Sequence, residues 1–184
     1  MKNKKSPVGQ YIFDGMGDTE EAYEYVQDFL PLIGKVILFF NSLESELDHI
    51  ICQIICDRAD TMGLQVLHNM SYAKKVDLYD RFTREAIRAH AWDDNIEAFG
   101  DIISKLERCG TNRNQVVHAN WQSTNNDGYT HVKFTKGSQG LEHQFVQYTV
   151  ESLEKIIKEI IEVSSAIQAF EDEFDNWKCY GARS

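Results

Sequence analysis

The sequence predicts an all-α protein, a helical bundle of four to six helices with one β-hairpin inserted before the last long helix. Three observations carry this. Apolar residues recur at three- and four-residue steps through most of the 184 residues. Only two prolines and eleven glycines interrupt them. Strand-like alternation bounded by turn chemistry occurs once, at about 128–149.

Residues 1–18 hold Pro7, Gly9, Gly15 and Gly17 with little periodicity and read as a loose arm. Residues 19–184 read as a single domain. Thr19 is the expected N-cap of a short helix to about Leu30, with Glu20 and Glu21 in its first turn. Pro31 is expected to mark a boundary or kink. From about Leu32 to Arg58 a long helix is expected on the seam Val36, Phe40, Leu43, Leu47, Ile50 and Ile54. The next helix, about Ser71–Ala91, has Val76, Tyr79, Thr83, Ala86 and Ile87 as its core stripe. Another, about Asp94–Arg108, packs through Ile96, Phe99, Ile103 and Leu106 and is expected to end at Gly110. Thr111 or Asn112 would then cap a further helix. After Trp121, STNNDG and KGSQG are turn chemistry around the strands YTHVKFT and LEHQFVQYT. The closing helix, about Val150–Trp177, carries Leu153, Ile156, Ile160, Val163, Ile167, Phe170, Phe174 and Trp177 on one stripe.

Nineteen basic and 29 acidic residues give a net charge of −10, which argues against a broad footprint for duplex nucleic acid but leaves room for a local phosphate site. The basic start MKNKKSPVGQ has no apolar core after it, unlike a secretory signal. No uninterrupted apolar run approaches the ~18 residues of a membrane span. A cytoplasmic chain without membrane association is expected. Cys52 and Cys56 lie one turn apart in an apolar run and read as core packing. His68, His90, His131 and His143 lack ligand spacing, so no metal site and no cofactor are expected.

The stretch CGTNRNQVVHANW, Cys109–Trp121, is the candidate site. Asn114 and His118 are four apart and share a helix face, with Arg113 to one side. At a helix start, unpaired N–H groups and the positive dipole end would join a guanidinium, an amide and an imidazole around a phosphate. His118 is the member that titrates near neutral pH and so can move protons. Simple capping, with Val116, Val117 and Trp121 buried, explains the same residues. A second anomaly is Glu44, inside the apolar stripe between Phe40, Leu47 and Ile51. A carboxylate there needs a partner, either Arg113 or another cation from a neighbouring helix. Glu46 and Asp48 fall at the stripe's edges. Lys74, Arg81, Arg84 and Arg88 line one helix face and could steer RNA, as could Lys133 and Lys136, although Asp77 and Asp80 sit four residues before Arg81 and Arg84 as in ion-pair ladders.

Arg113-Asn114-Gln115-Val116-Val117-His118 resembles the R-N-x-x-x-H motif of the HEPN superfamily, and FFNSLESELDHII resembles the first long helix of such domains, with Glu44 at the inward-facing glutamate. VLHNMSYAKKVDLYDRF, the hairpin and the closing helix are similar to those of small bacterial members, so the resemblance spans about residues 30–177. It implies a homodimer with Arg113 and His118 of both copies lining a shared cleft. It further implies a metal-independent endoribonuclease of phage defence, abortive infection or toxin–antitoxin systems, in which an antitoxin or other protein is a possible partner. In toxins silenced by AMPylation a tyrosine follows two residues after the histidine; here Asn120 stands there. Within this reading His118 would move the proton, Arg113 would neutralise phosphoryl charge, Asn114 would orient either, and Glu44 would hold Arg113. A non-catalytic helical module binding a nucleotide or a partner protein is the alternative.

Overall fold

A computed structural model describes residues 1–8, 20–55, 60–138 and 140–180. It is 74% helical, with five α-helices and a small three-stranded antiparallel sheet among the described residues. In chain order these are β1 (Lys2–Pro7), α1 (Glu20–Ile55), α2 (Asp60–Leu67), α3 (Tyr72–Ala89), α4 (Ile96–His118), β2 (Tyr129–Gly137), β3 (Gly140–Gln147) and α5 (Val150–Tyr180). The mostly helical class is as expected. Two compact units are present, Met1–Leu38 with Asn112–Ile157, and Phe39–Thr111 with Lys158–Ser184.

In the first unit β3 is the central strand, in the order β1-β3-β2. The hairpin lies where expected. The loose arm expected at the N-terminus is corrected over residues 2–7, which pair antiparallel with β3 from Lys2↔Gln147 to Pro7↔Glu142. A lone hairpin is marginal in water, and a third strand satisfies the outer backbone groups of β3. Pro7 ends that strand, as suits a residue with no N–H to donate. Asn125 Oδ1 accepts from the backbone of Asp127 and Tyr129, at 3.1 and 2.9 Å, to shape the turn into β2. Gly128 follows at φ +79°, where a Cβ would run into the Tyr25 hydroxyl. The Tyr25 hydroxyl donates to the Tyr148 carbonyl at 2.8 Å. Tyr25, Phe29, Trp121 and Tyr148 then form a chain of ring contacts that holds the start of α1 to the hairpin.

Two expected boundaries are absent. Helix α1 runs through Pro31 as one element. Pro31 and Gln27 are both exposed, so water can take the Gln27 carbonyl that the missing proline N–H leaves free. Within α1 the segment Tyr23–Ile55 is by length and composition alone apolar enough to cross a membrane, with 22% of its most apolar window buried. The expected Thr19 cap and the segment 56–59 fall outside the described residues.

The predicted helical stripes are buried. Val36, Phe40, Leu43, Leu47 and Ile50 are buried along α1, while Ile54 is 40% exposed at the end of the seam. Val76, Tyr79, Thr83 and Ile87 are buried on α3, and Phe99, Ile103 and Leu106 on α4. The α5 stripe is buried from Leu153 to Phe174. That helix starts with a reciprocal cap, in which Ser152 N donates to Thr149 Oγ1 and Thr149 N donates to Ser152 Oγ, at 3.1 and 2.9 Å.

Helix α4 does not stop at Gly110. A Cβ there would meet Tyr72 Cδ1 and Cε1 at 2.8 Å, and the Tyr72 hydroxyl donates to Leu106 O at 3.1 Å. Glycine is present because an aromatic ring lies on the helix, not because the helix ends. Gly34, exposed in α1 with nothing within 4 Å of a Cβ, has no such neighbour. The two positions should therefore respond with opposite signs. Gly34→Ala should raise stability by up to about 1 kcal/mol, as for an ordinary mid-helix glycine. Gly110→Ala should lower it by about 1–3 kcal/mol through overpacking. Urea denaturation of both variants checks this, and a stabilising Gly110→Ala would refute the account of α4.

Candidate functional site

Because α4 ends at His118, Arg113, Asn114 and His118 occupy its last two turns. The helix start expected at Thr111 or Asn112 is corrected. Thr111 Oγ1 donates back to Glu107 O at 3.0 Å, a mid-helix bond, in place of capping a new helix. The electrostatic consequence is large. A helix start offers N–H donors and positive partial charge; this end offers carbonyl oxygens and negative partial charge. Any phosphate held here depends on side chains alone.

The end is fixed from outside the helix. Trp121 Nε1 donates to Val116 O, one of the carbonyls left over in the last turn, at 3.0 Å. Asn120 N donates to His131 O at 2.8 Å, and His131 N donates to Ser123 Oγ at 3.0 Å, tying the exit of α4 to β2. Val116 is fully buried. On the other side Asn114 and His118 are exposed and one turn apart, while Arg113 is half-buried. Arg113 Nη1 donates to Asn114 Oδ1 at 2.9 Å, which orients the guanidinium beside the amide. Asn114 keeps its NH2 to donate. The structure thus brings together the three residues that spacing singled out, on a helix end of the opposite polarity.

Glu44 belongs to the second unit, and the cation it meets is Lys75 of α3, at 2.9 Å. The same ammonium binds Asp48 Oδ2 at 2.8 Å. Asp48 is therefore more than a residue at the edge of the stripe. Glu46, its neighbour there, accepts from Ser164. Burial alone would lower the Lys75 pKa; the hydrogen bonds it donates to Asp48 and Glu44, with their negative charge, outweigh it and hold Lys75 above the ordinary lysine value. Lys75 was missed in the sequence although it stands four residues before Tyr79 and eight before Thr83, on a buried face. A cation on one apolar stripe and a carboxylate on another were the paired signal.

Of the residues considered for RNA contact, Arg81 pairs with Asp77 at 3.0 Å and Arg84 with Asp80 at 2.7 Å. Both are ion pairs within α3, as the four-residue spacing allowed. Arg84 also lies over the Phe99 ring, 5.5 Å from its centroid. Lys74, Arg88 and Lys133 are exposed.

Two histidines that looked scattered are neighbours. A register shift between His131 and Lys133 puts His131 opposite Phe145 and Phe134 opposite His143. The imidazole centroids are 5.0 Å apart, and His143 is 2% exposed. Among the described residues no three His, Cys, Asp or Glu side chains gather as a metal site. Comparison of the chain with protein-family models, with curated proteins and with solved structures gives no match in any of the three.

Two predictions follow from these clusters. Lys75→Ala leaves two half-buried carboxylates side by side and should cost about 3 kcal/mol. In that background Glu44→Ala should cost less than it does in the intact chain, and additive costs in a double-mutant cycle would contradict the pairing. Burial lowers both His131 and His143 below the ordinary histidine value of 6.5, with His143 adding to the effect on His131. Above that value both the folded and unfolded forms are neutral and stability is full. Below it the unfolded chain takes up protons first, so stability is lost until the folded pKa is passed. Denaturation midpoints should therefore fall with pH from about 6.5 downward, and His143→Phe should flatten the slope. An unchanged slope in the variant would count against it.

Proposed function

We propose that this chain is a metal-independent endoribonuclease of the HEPN type, a cytoplasmic homodimer acting in bacterial phage defence, toxin action or stress response. The observation that carries the reading is the exposed face at the end of α4. There Asn114 and His118 stand one turn apart and Arg113 is hydrogen-bonded to Asn114. The resemblance of RNQVVH and FFNSLESELDHII to HEPN sequences supports it.

In this mechanism the RNA supplies its own nucleophile. His118 takes the proton from the 2′-hydroxyl, the 2′-oxygen bonds to phosphorus, and the P–O5′ bond breaks. The products are a 2′,3′-cyclic phosphate and a 5′-hydroxyl, the latter taking its proton from a second imidazole that the other copy would bring. Arg113 faces the two non-bridging oxygens and offsets their growing charge, and Asn114 donates to one of them. Glu44 has no role in this scheme, since its carboxylate is bound to Lys75. Asn120 cannot accept AMP as a tyrosine would, so a partner antitoxin would act by binding.

Purified protein should cleave single-stranded RNA in EDTA. His118→Ala and Arg113→Ala should each reduce the rate by about 10²–10⁴-fold. Cleavage that persists undiminished in His118→Ala would overturn the assignment. One observation favours a second reading, a non-catalytic module binding a nucleotide or partner protein. Arg81 and Arg84 are engaged with Asp77 and Asp80, and the net charge is −10. That reading predicts nucleotide affinity that depends on Arg113 with no RNA cut.

A further inference from the structure

The second unit holds a half-enclosed cleft of about 320 Å³ lined by Gln53, Ile54, Thr83, Ala86, Glu171 and Lys178, among others. A second cleft, of about 510 Å³, adjoins it, for Ile54 and Ala86 line both. The other walls of the second cleft are mainly apolar, Ile55, Phe82 and Ala89, with Glu85 beside them.

Glu171 gives this groove its chemistry. Its Oε1 accepts from the hydroxyl of Tyr79, itself fully buried, at 2.7 Å. Among the described residues Glu171 makes no ion pair, although an ammonium lines the same cleft. Lys178 is committed elsewhere, to Asp175 at 2.5 Å and to the Phe174 ring, 4.6 Å from its centroid. A carboxylate has room for about four hydrogen bonds, so Oε2 remains to accept from a ligand. Burial raises the Glu171 pKa, against the Tyr79 bond, with Asp175 raising it further and Lys178 lowering it. A cation arriving at this acid recovers solvation that burial removed.

We propose that the groove binds an alkylammonium ligand, its ammonium on Glu171 and its hydrocarbon chain over Ile54 and Ala86 into the adjoining apolar cleft. An anion is disfavoured by the acids in both clefts, Glu171 and Glu85, and by the net charge of −10. A neutral alcohol of the same length gains the apolar contact without the charge. Tyr79 is a positioning residue that holds one carboxylate oxygen, so that the other can accept from the ligand. The inference is independent of the α4 site.

The test is a titration of the full chain with n-hexylammonium chloride, followed by the methyl resonances of Ile54 and Ala86. Saturable shifts with a Kd of about 1 mM are expected for so small a probe. 1-Hexanol should bind at least about tenfold more weakly, because it lacks the charge that pairs with Glu171. Glu171→Gln should weaken hexylammonium by a similar factor while leaving hexanol unchanged. Should Glu171→Gln fold poorly, Ala86→Leu fills the wall shared by the two clefts with Glu171 intact, and should abolish the shifts. No saturable shift, equal affinity for alcohol and amine, or affinity indifferent to both substitutions would overturn the proposal.

Discussion

Tyr72 lays its ring on Gly110, where a Cβ would come within 2.8 Å of two ring carbons, and its hydroxyl reaches the Leu106 carbonyl one turn back. That contact decides what Arg113, Asn114 and His118 can be. With a ring filling the space above residue 110, the glycine has a packing reason to exist inside α4, and the helix continues for two more turns. The three side chains are therefore carried in the last two turns of α4 and presented at its carbonyl end. The fixed positive charge among them is the Arg113 guanidinium, with no backbone N–H groups behind it. Trp121 completes the arrangement by donating to a last-turn carbonyl, which keeps that end from fraying.

Polar groups elsewhere are placed by the same demand for satisfaction under burial. Lys75, 6% exposed, is tolerable on α3 because two carboxylates of α1, Glu44 and Asp48, meet its ammonium. Tyr79, one turn further along α3, hands its hydroxyl to Glu171 of α5. These are specific polar bonds inside otherwise apolar stripes, so they fix which residues of α1, α3 and α5 oppose one another as well as how tightly they pack.

The helical stripes were legible because burial follows the 3.6-residue period, and Phe40, Leu47, Tyr79, Leu106 and Ile160 all lie where that period puts them. The candidate residues were legible for the same reason, since Asn114 and His118 need only be four apart on a helix. What misled was local punctuation. Pro31 and Gly110 both look like helix ends, yet an exposed proline leaves its lost bond to water and a glycine under a ring is a packing residue. Partners distant in the chain were not legible at all. Lys75 lies 31 residues from Glu44, and β1 pairs with a strand more than 130 residues later. The His131–His143 contact depends on a register shift that single-strand alternation does not reveal.

With few fixed charges available, RNA at the end of α4 would be held by a small number of phosphate contacts, and binding should carry that signature in its salt dependence. The most direct measurement is the affinity for an uncleavable 2′-O-methyl RNA across a range of salt concentrations, in the intact protein and in Arg113→Ala. Each phosphate neutralised on a single strand contributes about −0.7 to the slope of log K against log salt. A shallow slope is expected, one that loses about 0.7 for each Arg113 removed, or about 1.4 for a dimer. Binding whose slope is the same with and without Arg113 would contradict it.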